Sequence, residues 1–165
     1  AAIGAYNAKK EEIICIAGDG SIMMNIQELI IIGAKKLPVK IFLLNNQGYH
    51  SIRQTQQNYF PKNTVGCGVE SGLPFPNFKE LSKGFLIDYS FSDNEKLLKN
   101  EIIKTLNKKG PVMHEIKLNL NQSFEPKLSS RKLDDGTMIT SELEDMAPFL
   151  PSERLKEIIQ NAMKL

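Results

Sequence analysis

Asp19 sits between two glycines in the run Gly18-Asp19-Gly20-Ser21, and 27 positions separate it from Asn46 in the run Asn45-Asn46-Gln47-Gly48. Asp19 offers a formal negative charge and Asn46 a neutral amide oxygen. Neither donor is soft, so the pair suits a hard divalent cation. Magnesium is favoured over calcium because it commonly joins one or two carboxylates to phosphate oxygens. The glycines let the backbone approach an anion closely, and amides at a turn or helix start offer hydrogen bonds to phosphate. The chemistry these residue types suit is the holding of a cation that carries a diphosphate. An isolated Asp-Gly is ordinarily a turn, and Asn-Asn after a strand is ordinarily a turn or a helix cap. The site reading comes from their recurrence at the ends of two apolar strands separated by one helix. No Gly-Lys-Ser/Thr follows the glycines, and no G-x-G-x-x-G fingerprint follows the first strand.

The elements that must position these residues alternate between strand and helix. Residues 1–8 read as the last turns of a helix. Glu12–Ala17 (EIICIA) is a short, nearly all-apolar run, the pattern of a parallel strand covered on both faces. Asn25 and Glu28 have the spacing of a capping box, which predicts a helix from there to about Lys36, before Pro38. Val39–Leu44 (VKIFLL) is the second strand, and the unit is a right-handed βαβ crossover. In an open α/β sheet, ligands bind beyond the carboxyl ends of the strands, where both polar runs lie. Residues 47–58 are polar and fit either a short helix or an ordered loop. Residues 61–76 form a long Gly/Pro-rich loop, a length often used for lids or contact surfaces. A short helix capped by Asn77, a third strand over 85–89, a helix over 93–108 and an alternating strand over 112–118 follow. Residues 121–150 show no period and predict an extended tail; 151–165 is an amphipathic closing helix. The expected fold class is α/β, a parallel sheet flanked by helices. The expected division is an α/β domain over 1–119 and, over 120–165, a tail and helix packed on that same domain.

Composition bounds the partners. At 165 residues, 41% hydrophobic and 24% charged, the chain has the make-up of an ordinary globular domain able to bury a core. A net charge of +2 with scattered lysines gives no nucleic-acid footprint. No segment approaches the ~18 apolar residues of a membrane span, and the first residues lack a secretory pattern. Cys15 and Cys67 have no metal-like spacing, and a thiol inside an apolar strand behaves as a small hydrophobe. A cytoplasmic, reducing setting is expected. Ser21 has no neighbouring histidine or nucleophile elbow. His114, in an alternating strand, reads as a buried or edge histidine with a hydrogen-bond partner. Arg53, Gln54, Gln56 and Gln57 fit either a pocket lining or a solvated helix face. Residues 131–138 lack the ligand spacing of a calcium loop.

The stretch GDGSIMMNIQELIIIGAKKLPVKIFLLNNQGY resembles the thiamine diphosphate-binding motif of the acetolactate synthase branch of thiamine enzymes. Weaker likeness extends through AAIGA, FPNFKELSKGF and GPVMHEIKL. The resemblance implies the thiamine diphosphate-binding fold, with thiamine diphosphate and Mg2+ as cofactors. It implies Asp19, the Asn46 side chain and the Gly48 carbonyl as metal ligands. Gly18, Gly20, Ser21 and the backbone near Tyr49 would hold the diphosphate, and Asn45 would pin the turn. His50 stands where relatives often carry glycine. No catalytic residue is assigned in this chain, because the resemblance assigns the activating glutamate to another, pyrimidine-binding domain, upstream or on a separate chain. The implied function is the metal- and diphosphate-binding C-terminal portion of a 2-oxo acid carboligase or decarboxylase, a transferase or lyase, inactive alone and expected to be a homo-oligomer. The alternative is a stand-alone nucleotide- or phosphate-binding module, or a truncated remnant.

Overall fold

The structure is a computed structural model and describes residues 1–60, 62–133 and 135–164. Pro61 at the head of the expected loop, Asp134 in the acidic run and Leu165 at the end of the closing helix lie outside the described residues. The chain divides into two compact units, Ala1–Gln122 and Ser123–Leu165.

The first unit is an α/β domain built on four parallel strands: β1 (Ile13–Gly18), β2 (Val39–Asn45), β3 (Asp88–Ser92) and β4 (Val112–Lys117). Their order is β1-β2-β4-β3, so β2 and β4 are central and β1 and β3 are edges. Parallel strands need crossovers, and helices supply them. Helix α1 (Ala2–Lys9) precedes β1; α2 (Asp19–Met23) and α3 (Leu29–Ala34) connect β1 to β2. After β2 come α4 (His50–Tyr59) and α5 (Phe78–Gly84), and α6 (Glu95–Leu106) joins β3 to β4.

One sheet face carries Ile13, Cys15, Val39, Ile41, Leu43 and Met113, packed with Tyr6 of α1, Leu29 and Ile32 of α3, and Phe78 of α5. This is the hydrophobic core. On the opposite face the register aligns Ile16, Phe42, His114 and Ser90 across the four strands. Helix α6 covers the β3–β4 half of that face, where Thr105 is buried against His114. Lys40, fully buried in β2, donates to the carbonyls of Lys108 and Gly110 and pairs with Glu12 at 3.3 Å. Those carbonyls follow the carboxyl end of α6, where a cation is favoured.

The crossover differs from the expected one. Strand β1 runs directly into α2 at Asp19, with extended Gly18 as its cap, and that helix stops after one turn. A short 3-10 turn, Ile26–Glu28, precedes α3. Asn25 makes no side-chain cap bond, so the capping box with Glu28 does not form. The short α2 holds Asp19 at the strand end, and the chain restarts its helix only after Asn25. The third strand lies three residues later than expected. Phe85 closes α5, Leu86 takes a positive φ of 59°, and β3 starts at Asp88. The polar segment over 47–58 is largely helical, as α4. Asn77 caps α5, accepting from the amides of Lys79 and Glu80 at 3.0 and 3.2 Å.

In the second unit, part of the expected extended tail is a hairpin, β5 (Ser130–Lys132) with β6 (Met138–Thr140). Gly136, with φ of 86°, and the Asp135 carboxylate, accepting from Thr137 N at 2.8 Å, make its turn. Arg131 pairs with Asp145 and lies 4.0 Å over the Phe149 ring. Helix α7 (Ser152–Ala162) follows Pro151. Among the described residues no helix is long and apolar enough to cross a membrane.

Candidate functional site

Strands β1 and β2 are adjacent and parallel, with Gly18 opposite Leu44. Their carboxyl ends therefore deliver Asp19 and Asn46 to the same sheet edge. Asp19 is 1% exposed. Its Oδ1 accepts from Gly20 N and its Oδ2 from Gly48 N, both at 2.9 Å. The Asn46 amide oxygen stands 3.2 Å from Asp19 Oδ1 and 2.7 Å from the Gly48 carbonyl oxygen. Three oxygens thus converge, and only the Asn46 oxygen faces acceptors alone: Asp19 Oδ1 accepts from Gly20 N, and the Gly48 carbonyl accepts from His50 N at 3.1 Å. Adjacent ligands of an octahedral Mg2+, each ~2.0–2.1 Å from the metal, stand about 2.9 Å apart. The two separations from the Asn46 oxygen, 3.2 and 2.7 Å, bracket that value. Turning the amide over would replace the repulsion with two hydrogen bonds from its nitrogen, to Asp19 Oδ1 and Gly48 O. The residues present therefore fit a small hard cation, and the same turn has a satisfied metal-free form. Among the described residues no three His, Cys, Asp or Glu side chains cluster for a metal. The candidate site uses one carboxylate, one amide and one main-chain carbonyl instead.

Burial pushes the Asp19 carboxyl above its ordinary range, against the lowering effect of the backbone amides of Gly20, Gly48 and Gln47. A cation at the cluster would favour the charged form, opposing the effect of burial.

The turn that carries Asn46 and Gly48 is held from three sides. Asn45 accepts from Gln47 N at 3.0 Å and donates to Glu115 of β4 at 2.6 Å. Glu115 also accepts from the Tyr89 hydroxyl of β3 at 2.6 Å. Burial, then the hydrogen bond and charge of Glu115, push the Tyr89 hydroxyl well above its usual range. On a second side, Gly48 and Gly68 form an isolated antiparallel bridge, and Tyr49 N donates to Cys67 O at 2.8 Å. On the third, the guanidinium of Arg53, in the first turn of α4, donates to the carbonyls of Asn46 at 3.2 Å and Gln47 at 2.8 Å. Arg53 is buried, and its Nε lies 3.2 Å from Glu70 Oε1.

The remaining sequence-picked residues surround this cluster unevenly. The Tyr49 ring lies over Gly20; a Cβ there would come within 2.6 Å of it. The Gly20 amide is already engaged by Asp19. Gly18 caps α2, and Ser21 is exposed at the mouth of a cleft of about 440 Å3 that Cys15, Ala17 and Ile22 also line. Ser21 and Gly18 are thus near the cluster in sequence, while the structure gathers Asp19, Asn46 and Gly48 into it. A second cleft of about 450 Å3 adjoins the turn and is lined by Gln47, Arg53, Val69, Glu70, Leu120 and Asn121. Of the α4 residues weighed as pocket lining, Arg53 reaches it, while Gln56 brackets the backbone of Val65. The part of Arg53 in holding the turn was not read from the sequence. No spacing signals it, because its partners are carbonyls whose directions depend on the fold. His114 is fully buried, 2.7 Å from Ser90 Oγ, 2.9 Å from Thr105 Oγ1 and 3.0 Å from Ser92 Oγ, and remote from this edge in role.

The family described as thiamine pyrophosphate enzyme, C-terminal TPP binding domain, matches residues 1–116. The acetolactate synthase large subunit of Porphyra purpurea is 32% identical over 133 residues, 80% of this chain and 22% of that protein. The acetolactate synthase isozyme 2 large subunit of Escherichia coli (strain K12) is 33% identical over 127 residues, 76% of this chain and 23% of that protein. Among solved structures, the Rhodococcus jostii RHA1 thiamine diphosphate-dependent 4-hydroxybenzoylformate decarboxylase aligns with a TM-score of 0.64 and 26% identity, over 74% of this chain and 23% of its own. The match spans about a fifth of the length of these relatives. With the domain match covering all but the last residue of the sheet and the strand ends that carry Asp19, Asn46 and Gly48, the chain belongs to the thiamine pyrophosphate enzymes, as a C-terminal TPP-binding domain of the acetolactate synthase-like kind.

Proposed function

We propose that this chain is the metal- and diphosphate-binding part of a thiamine diphosphate-dependent enzyme acting on a 2-oxo acid, a carboligase or decarboxylase. The observation that carries the reading is the convergence of the Asp19 carboxylate, the Asn46 amide oxygen and the Gly48 carbonyl at one sheet edge. In this reading those three oxygens hold Mg2+, and Gly18, Gly20, Ser21 and the backbone at Tyr49 border the diphosphate. Bound thiamine diphosphate supplies the electron sink for breaking or making a bond next to a carbonyl. The chain's own contribution is to fix the anionic end of the cofactor and to exclude water around a buried carboxylate. Cofactor activation falls to a glutamate on a pyrimidine-binding domain, upstream or on a separate chain, so the chain alone is expected to be inactive. A homo-oligomer in the cytoplasm is the setting we infer; free Cys15 and Cys67 suit a reducing compartment.

Calorimetric titration with thiamine diphosphate and Mg2+, against ADP and Mg2+, tests this. Thiamine diphosphate is expected to bind more tightly, and Asp19→Ala to abolish the Mg2+-dependent part. Preference for ADP would favour a nucleotide module instead, and an unchanged Asp19→Ala signal would move the metal elsewhere.

A further inference from the structure

The turn after β2 presents three successive carbonyls, those of Asn46, Gln47 and Gly48, and they do not point the same way. The first two accept hydrogen bonds from Arg53, at 3.2 Å from Nη1 and 2.8 Å from Nη2. The third faces the Asn46 amide at 2.7 Å and accepts from His50 N at 3.1 Å. Gln47 holds an unusual φ of 56° for a side-chain-bearing residue, and Gly48 a φ of 149°. Left to solvent, such a turn would sample other arrangements, since a positive φ at a non-glycine residue is costly. A planar guanidinium, with five donors in a fixed fork, can hold two neighbouring carbonyls at once; an ammonium is a point charge without that fork.

We propose that Arg53 is a positioning residue for the metal. By holding the carbonyls of Asn46 and Gln47 on its own buried guanidinium, it leaves the Gly48 carbonyl turned to the Asn46 amide, where it completes the oxygen cluster. The inference rests on the metal-binding reading above and assigns Arg53 a task within it. Its charge would otherwise oppose a nearby divalent cation. Glu70, with Oε1 3.2 Å from Arg53 Nε, offsets that charge from the far side. The pairing also ties the turn to the loop after α4, because Glu70 stands in the short 3-10 turn Val69–Ser71. That turn follows Gly68, which bridges to Gly48. Gly68 has no room for a side chain: a Cβ would lie 2.5 Å from Arg53 Nη2 and 2.8 Å from Gln47 O. The guanidinium is therefore enclosed by the backbone it orients.

The test uses the full chain and Mn2+, a spin-bearing stand-in for Mg2+, titrated by electron paramagnetic resonance with thiamine diphosphate present. Circular dichroism checks the fold of each variant. Wild type, Asp19→Ala, Arg53→Gln, Arg53→Lys and Glu70→Gln are compared. Arg53→Gln is expected to weaken Mn2+ by about tenfold or more, the scale of one lost charge-assisted hydrogen bond. Arg53→Lys should fall between it and wild type, and the bound-Mn2+ spectrum of both should broaden as the ligand set loosens. Glu70→Gln should weaken Mn2+ less than Arg53→Gln. If Asp19→Ala binds like wild type, the metal site itself is misassigned. If Asp19→Ala abolishes binding while folded Arg53→Gln binds within twofold of wild type, the positioning role is wrong. Should Arg53→Gln fail to fold, Arg53→Lys decides alone: wild-type affinity and spectrum overturn the proposal, and a weakened, broadened site supports it.

Discussion

Gly48 carries two demands that no other residue type meets together. Its φ of 149° lies where side-chain-bearing residues are strained, and a Cβ there would sit 2.1 Å from the Cys67 carbonyl oxygen. That neighbour is backbone already engaged with Tyr49 N, so it cannot yield cheaply. Gly48→Ala is expected to cost about 3 kcal/mol in urea denaturation and to remove metal binding with it. Gly20→Ala is the milder counterpart, because the atoms it meets belong to the Tyr49 ring, a side chain that can swing. Equal losses for the two variants would refute this ranking. At this scale the sequence is readable where placement follows from residue type and strand order. A carboxylate after one strand and an amide after the next could be paired from spacing alone. Arg53 could not be found that way, since what it binds is peptide carbonyl, present at every position and oriented only by the folded turn.

Among the elements, β3 was misplaced for an identifiable reason. Phe85 and Ile87 looked like strand residues, yet they pack against the core at the end of α5 and in the link to β3. The strand itself, DYSFS, puts Tyr89 on the core and turns Ser90 and Ser92 onto His114 of β4, so it holds no aliphatic residue to mark it as a buried strand. The hydroxyls of Ser90, Ser92 and Thr105 surround the imidazole and can donate or accept as it requires. Burial holds the His114 pKa below its ordinary 6.5; the Lys108 charge adds to this and the Glu101 carboxylate opposes it. The folded value is the lower one, so between the two values the unfolded chain binds more protons. Stability is then complete above about pH 6.5 and falls as the pH drops toward the folded value. Thermal melts over that range should show the wild type losing stability more steeply than His114→Gln, which starts lower. Parallel curves for the two proteins would mean that His114 does not supply the slope.

Over the whole first unit, the sheet has one unfinished side. The sequence of β1 reads as a strand covered on both faces, and the structure covers only one. Cys15 and Ile13 join the core, while Ile14 and Ile16 are 56% and 69% exposed on the face shared with Lys40 and Phe42. Helix α6 packs on that face over β3 and β4. Hydropathy reports that a face is to be buried, but not which layer buries it, so this gap could not be read from the letters. Strand β1 is also an edge, with no proline and no charge from Ile13 to Gly18 to discourage another strand from pairing there. An apolar face beside an open edge is a template for association. The chain is therefore expected to self-associate as its concentration rises, and sedimentation velocity can follow the shift. Ile14→Thr with Ile16→Lys should move the population toward monomer while changing stability by no more than about 0.5 kcal/mol, because both side chains are exposed. The threonine keeps the strand's conformational preference, and the lysine places a charge on the free face. A wild-type chain that stays monomeric at every concentration would show that this face is tolerated by water as it stands. Association that persists unchanged in the double variant would move the contact to other exposed apolar groups, Met24, Val65 and Val69 among them.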